Sequence, residues 1–249
     1  MDTQSIIATD QSVPHSKLNI GISACLAGQE VRFNGGHTQS RLCLDVLSKH
    51  FNYQTFCPEV AAGFSTPRPT MRLTGNPNNP KLSFTTDDTV DLTDQLTRGF
   101  KDKLAGFEGL DGYILMKKSP SCGLERVKVY QENGHPHEIK VKGLFASALQ
   151  KRYPLMPIEE EGRLHDANLL ENFVLRVYAY HDFRTTILVE PHLGKLIAFH
   201  SRYKYILMAH NQKAYKKLGQ LLGNGNKGQV SDLVETYFQL FMTALSTPA

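Results

Sequence analysis

Cysteine is scarce in this chain: 249 residues hold 4 of them. So few argue against a disulfide framework and leave buried, catalytic or metal-binding thiols. Long apolar runs are also missing, and none approaches the roughly 20 residues that a membrane-spanning helix needs. The opening segment, MDTQSIIATDQSVPHSK, lacks a basic stretch followed by an apolar one. No signal peptide is expected there, and residues 1–16 read as a flexible polar tail. The expected location is cytoplasmic, where thiols stay reduced. Acidic residues vanish from one long stretch: Pro191 to Ser231 contains no Asp or Glu, in a chain of net charge +4. The same stretch carries Lys195, Arg202, Lys204, Lys213, Lys216, Lys217 and Lys227. That imbalance points to a polyanionic partner.

What is present suits a globular protein, with 41% hydrophobic and 21% charged residues. LNIGISA (18–24) reads as a buried strand and TQSRLCLDVLSKH (38–50) as a helix with Thr38 or Ser40 near its start. YQTF (53–56) reads as a second strand and the Pro-, Gly- and Asn-rich residues 64–81 as a loop. DTVDLTDQLTRGFKDKLAG (88–106) suits a long amphipathic helix, and DGYILMK (111–117) a third strand. This alternation predicts an α/β fold, a Rossmann-like parallel sheet with covering helices. Residues 143–152 suit another helix. YPLMPIEEEGRL (153–164) reads as a linker, because Pro154 and Pro157 oppose a regular helix. From about Asp166 the pattern is all-helical: NLLENFVLRVYAY (168–180), a helix opening at Pro191 and broken by GNGNKG (223–228), and VSDLVETYFQLFMTAL (230–245). The expected organisation is one α/β domain over 17–160 and one all-α domain over 161–249.

Cys25, Cys57 and Cys122 each follow a predicted strand. In an open parallel sheet the carboxyl ends of the strands line one edge, where ligands bind. Three cysteines distant in sequence therefore converge, either as ligands of a soft metal or an iron–sulfur cluster or as three buried thiols in turns. No C-x-x-C is present, so the spacing is not that of a zinc ribbon or a ferredoxin. Cys43, between Leu42 and Leu44, reads as core.

Four motifs in order, SACLAG (23–28), VRFNGG (31–36), FCPEVAAGFSTPRPT (56–70) and KSPSCGLERVKVY (118–130), resemble the thiouracil desulfidase family. These are small bacterial proteins that carry an iron–sulfur cluster and remove sulfur from thiolated pyrimidines. Downstream, EEEGRLHDANLLENFVLRVYAYHDFR (159–184) and FHSRYKYILMAHNQKAYKKLGQLLG (199–223) resemble a helical domain fused to a subset of them and associated with 4-thiouridine in tRNA. That domain usually runs further, so a shortened C-terminal domain is expected.

The resemblance implies a [4Fe–4S] cluster held by Cys25, Cys57 and Cys122, with the fourth iron free of protein ligands. It implies a non-redox conversion of C=S to C=O, in which water attacks an iron-bound thiocarbonyl and sulfide leaves. Glu59 matches the family's CPE glutamate, a general base or proton shuttle; alone it also reads as a carboxylate opening a helix after Pro58. Ser119 matches the first serine of SPSCG, a proton donor or relay, or else a turn serine. Ser23 and Ser121 read as structural, with donation to a cluster sulfide as the alternative for either hydroxyl. Arg32 and Asn34 are expected near the cluster, Arg32 for a substrate phosphate; the family often has Asp at the position of Asn34. Arg68 and Arg72, in TPRPTMRL (66–73), are assigned to substrate binding at a nucleotide phosphate because a loop setting favours it, with structural pairing as the alternative. Arg202, Lys204, Lys213, Lys216 and Lys217 are assigned to RNA phosphates, with tyrosines for stacking on unpaired bases; the alternative is an ordinary solvated face over a Tyr/Leu/Ile core stripe. The expected function is desulfidation of 4-thiouridine in tRNA. The alternatives are a desulfidase of free thiopyrimidines or their nucleotides, and a non-catalytic RNA-binding protein with a structural metal.

Overall fold

The computed structural model describes residues 17–224 and 229–249. The expected tail and residues 225–228 of the GNGNKG break lie outside the described residues. In chain order the strands are β1 (Leu18–Ser23), β2 (Phe51–Phe56), β3 (Met71–Asn76), β4 (Asn79–Phe84), β5 (Gly112–Leu115), β6 (Val127–Tyr130), β7 (Pro136–Val141) and β8 (Ile158–Glu160). The α-helices are α1 (Pro58–Ala61), α2 (Thr93–Lys101), α3 (Leu144–Arg152), α4 (Ala167–Phe183), α5 (Leu193–His210), α6 (Gln212–Gly223) and α7 (Val230–Ala244). None is long and apolar enough to cross a membrane among the described residues.

The α/β reading holds. β2-β1-β5-β8 form a parallel sheet, the buried arrangement in which strands read as near-continuous apolar runs. GYIL of β5 is buried at every position. Phe173 and Val177 of α4 pack on one face with Leu18, Ile20 and Ile22 of β1. Phe107, Tyr113 and Phe145 meet edge-to-face in the other cluster, which continues to Phe183, Phe199, Tyr237 and Phe241 of the helical layer. Asp111, just before β5, accepts from the backbone N–H of Asn19 (3.1 Å) and from Arg184 Nη1 (3.2 Å), and it pairs with His181 Nδ1 (3.0 Å). Helix α4 and the segment after it are thus tied to the base of the sheet.

A second sheet, β4-β3-β6-β7, was not visible in the sequence pattern. Residues 71–84, largely inside or beside the expected loop, form an antiparallel hairpin in which buried Leu73 and Leu82 face each other. Pro80 is tolerated because β4 is an edge strand. Gly75, at φ +82, takes a backbone conformation that only glycine adopts freely. The segment 153–164, expected to be a linker, carries β8, whose three residues are all buried and pair with β5. Its glutamates find partners: Glu160 Oε1 accepts the N–H of Leu124 (2.8 Å), and Glu159 Oε1 pairs with Arg163 Nε (2.8 Å).

Three predicted helices are also revised. Residues 42–49 form a π turn and then a 3₁₀ turn, with Ser40 Oγ accepting the N–H of Cys43 (3.3 Å). The 88–106 helix shrinks to α2 plus a 3₁₀ turn at Leu104–Phe107. The helix expected from Pro191 splits at Asn211, whose backbone is extended (φ −157°) and whose side chain accepts the N–H of Ala214 (2.9 Å). Asn211 is an N-cap, the kind of residue that starts a new helix.

Register sets Gly21 opposite Tyr113, and the tyrosine ring lies where a side chain would be: a Cβ on Gly21 would come within 2.2 Å of it. Gly21→Ala is expected to destabilise by about 1–3 kcal/mol through overpacking. Gly106→Ala, with nothing within 4 Å of the added carbon, should change little. Urea denaturation of both variants checks this.

Candidate functional site

Three segments leave the same edge of the parallel sheet. Ala24 donates its N–H to the carbonyl of Phe56 (3.0 Å), so the chain following β1 and the end of β2 stay side by side as they reach Cys25 and Cys57. Ser23 Oγ accepts the N–H of Met116 (3.0 Å), which holds the chain leaving β5 against the end of β1. That chain then turns through 118–123 to Cys122. Lys118 sits at φ 59°, a left-handed conformation rare outside glycine and asparagine, and Gly123 donates its N–H to the carbonyl of Ser119 (2.8 Å). Cys25, Cys57 and Cys122 line one cavity of about 390 Å³, together with Arg32, Glu59, Arg68, Lys117, Lys118 and Ser119.

All three thiols are free. Burial pushes Cys25 up to about 11; Cys57 adds to the rise and the Arg32 charge opposes it. Burial likewise raises Cys57, which caps α1, while the backbone N–H of Val60 partly offsets it. Cys122 is raised well above the usual range by burial and then by its neighbours Cys57, Glu59 and Cys25, with a bond from Ser23 opposing. By themselves these thiols keep their protons at neutral pH, and a soft cation would displace them.

Glu59 is fixed at both oxygens. Oε2 receives Arg68 Nε (3.1 Å) and a close approach from Nη2, while Oε1 receives the Ser121 hydroxyl (2.8 Å). Ser121 is fully buried and does not line the cavity. Ser119 does line it; its Oγ accepts the N–H groups of Ser121 (3.2 Å) and Cys122 (3.1 Å), which leaves its own hydrogen free to donate.

The remaining expected residues divide. Arg32 lines the cavity and bonds Thr38 Oγ1. Arg68 lines it too, with its guanidinium committed within the protein. Its guanidinium donates to Glu59, Ser65 O (3.1 Å), Thr66 Oγ1 (3.2 Å) and Val31 O (2.9 Å), which occupies all five N–H groups. Asn34 is exposed outside the cavity, where Oδ1 accepts the N–H of Gly36 (3.2 Å) and closes the turn. Arg72 is also outside, on β3, against Asp88 (3.3 Å) and the ring of Tyr130 (5.2 Å). Among the cations assigned to RNA, Arg202 is paired with Asp182, and Lys204 lies 4.8 Å from the ring centre of Tyr205. Lys213, Lys216 and Lys217 are exposed on α6, where spacings of three and four residues put them on one face. None of these five lines the cavity. Sequence reasoning missed Lys117 and Lys118, although Lys118 opens the KSPSCG motif, and it missed the role of Ser121 in holding Glu59.

Among the described residues no three His, Cys, Asp or Glu side chains close on a single metal ion. Three soft thiolate donors around a wider cavity suit a polynuclear iron–sulfur group instead. One buried polar atom supports the fit: the Tyr113 hydroxyl has no hydrogen-bond partner among the described residues, and all three cysteines lie within its electrostatic reach.

The model of a family described as 2-thiouracil desulfurase matches residues 20–161, and that of a protein family of unknown function (DUF1722) matches residues 204–249. An uncharacterized protein of Bacillus subtilis, YbbK, is 32% identical over 108 residues, which is 41% of this chain and 71% of that one. An uncharacterized protein of Escherichia coli, YbgA, is 34% identical over 82 residues, 32% of this chain and 47% of its own length. A solved structure of a [4Fe–4S]-dependent thiouracil desulfidase, TudS, aligns at a TM-score of 0.46 and 29% identity, covering 59% of this chain and 93% of that one.

The thiol environment gives a measurable expectation. With Cys25 raised to about 11, iodoacetamide labelling of the cluster-free protein at Cys25 should rise about tenfold per pH unit between 7 and 10, following the thiolate fraction. Arg32→Met should slow labelling at any fixed pH, because it removes the charge that favours the thiolate. Peptide mass spectrometry reads both.

Proposed function

Because the chain belongs to the 2-thiouracil desulfurase family, we propose that it is a [4Fe–4S]-dependent desulfidase that converts the C=S of 4-thiouridine in tRNA to C=O. One observation carries this reading: Cys25, Cys57, Cys122 and Glu59 meet on a single cavity at the carboxyl edge of a parallel sheet. In this proposal residues 17–160 carry the chemistry and 161–249 grip the RNA. Cys25, Cys57 and Cys122 would hold the cluster, which when bound supplies a Lewis-acidic iron that takes up the soft thiocarbonyl sulfur and makes the ring carbon electrophilic.

The chain's own residues manage protons and charge. Water adds to the ring carbon and Glu59 takes its proton, its carboxylate fixed in place by Arg68 and Ser121. The atoms balance as C=S plus H₂O giving C=O plus H₂S, so no electron donor is required. Ser119 offers its free hydroxyl hydrogen to the departing sulfur. Lys117, Lys118 and Arg32 bring positive charge to the cavity, where a phosphate of the substrate and the leaving sulfide both carry negative charge. The exposed lysines of α6 meet phosphates of the RNA body. A second reading, with a free thiopyrimidine nucleotide as substrate, draws on the cavity volume of about 390 Å³, which falls in the range of small-molecule sites.

Alanine at Cys25, Cys57 or Cys122 should abolish iron binding, and Cys43→Ala should retain it; colorimetric iron and sulfide assays after anaerobic reconstitution decide. Glu59→Gln should keep its iron and lose about 10²–10⁴ in turnover, the usual range for a general base. For the RNA, a variant with Lys213→Glu, Lys216→Glu and Lys217→Glu should bind thiolated tRNA more weakly. Its salt slope should fall by about 1 for each phosphate that is no longer neutralised. Its turnover of free 4-thiouridine monophosphate should be unchanged. Unaltered activity on tRNA would leave the free nucleotide as the better reading.

A further inference from the structure

Tyr113 lies within β5 and is fully buried. Its ring crosses Gly21 and is packed edge-on by Phe107 and Phe145, at centroid distances of 5.8 and 5.7 Å. Every apolar contact of that ring would be made equally by phenylalanine. The hydroxyl adds a polar group with no hydrogen-bond partner among the described residues, which buried side chains rarely tolerate. What it has nearby is sulfur: burial raises its ionisation well above that of an ordinary phenol, and Cys122, Cys57 and Cys25, in that order, raise it further. The two rings that flank it also pack on Phe56, beside Cys57, and Phe145 donates its N–H to the carbonyl of Ser121 (2.9 Å), beside Cys122, so the tyrosine lies in the core beneath the three-cysteine edge.

We propose that Tyr113 is a positioning residue for the iron–sulfur group, its hydroxyl donating a hydrogen bond to a thiolate or inorganic sulfide of the cluster from beneath the cavity. This rests on the desulfidase reading above. A hydrogen bond to cluster sulfur favours the more negative, reduced state and raises the reduction potential. Without a cluster the same hydroxyl stays unpaired. Removing the oxygen therefore has opposite consequences in the two forms of the protein.

Tyr113→Phe tests this, compared with the unaltered protein in cluster-free and anaerobically reconstituted states. Iron and sulfide content should be equal. The reduction potential of the variant should be lower, and the deuterium-sensitive shift of its Fe–S stretching bands in resonance Raman spectra should shrink. The unfolding midpoint should rise in the cluster-free variant and fall in the loaded one. A purely structural tyrosine would move neither the potential nor the Raman bands. Identical potentials and bands in the two loaded proteins would sink the inference alone. A cluster-free variant that is less stable, or does not fold, would also overturn it, since the hydroxyl would then already have a partner. If the unaltered protein takes up no cluster at all, the desulfidase reading falls and this inference with it.

Discussion

Parallel registration of β1 with both neighbours is the constraint on which the site depends. Ser23 aligns with Phe56 across one side, and Ile22 aligns with Ile114 across the other. Strands that run the same way also end on the same edge. Residues 25, 57 and 122, nearly a hundred positions apart at the extremes, therefore leave the sheet together. Two short hydrogen-bonded links complete the convergence, Ala24 N–H to Phe56 O and Met116 N–H to Ser23 Oγ. A slip of one residue in β5 would turn Tyr113 and Leu115 to the opposite face and carry the Cys122 loop away from its partners.

Once the thiols converge, electrostatics dictates their surroundings. Three sulfurs and the Glu59 carboxylate share one cavity: beyond burial, Cys57 raises the cost of ionising Cys25, and Cys57, Glu59 and Cys25 raise that of Cys122. Arg68 answers the carboxylate, with side-chain exposures of 4% and 13% for the pair. Breaking such a pair by removing one member typically costs about 3–5 kcal/mol, because the other is left charged and uncompensated. This is why Arg68 is committed to Glu59 instead of to a ligand. Arg32, Lys117 and Lys118 remain on the cavity wall without a carboxylate partner among the described ion pairs, and it is there that positive charge is available to an incoming anion.

The parts legible in the sequence were those fixed by local pattern. Apolar strands followed by a cysteine in a small-residue turn gave β1, β2, β5 and the site edge, because a strand's period and a turn's composition are local properties. The second sheet was not legible, since Gly75, Pro77 and Pro80 make β3 and β4 look like a loop. What holds them is the tertiary facing of Leu73 and Leu82. β8 was hidden for a related reason: IEE reads as polar, and its glutamates are buried only because Leu124 and Arg163 lie within reach. The two serines of SPSCG show the limit most clearly. Which hydroxyl faces the cavity depends on one turn, where Ser119 accepts two N–H groups and Ser121 is directed inward to Glu59.

The helical layer adds a mechanical consequence. Phe173 and Val177 of α4 pack under β1, the strand that leads to Cys25, and Asp111 receives both His181 and Arg184 at the base of β5. The core then continues through Phe183 and Phe199 to Tyr237 and Phe241 without an apolar gap. Side chains packed this closely do not slide freely, because interiors have crystal-like density. If the lysines of α6 meet tRNA phosphates, their distance from the cavity is therefore set by the fold and not adjusted by a hinge. A thiolated base inside the tRNA body must then leave its stack to reach the sulfur-binding edge, at the cost of a few kcal/mol of unstacking. In the proposed function, phosphate contacts on a helix packed into the core would be a suitable source of that free energy, since they would hold the RNA body still while the base moves.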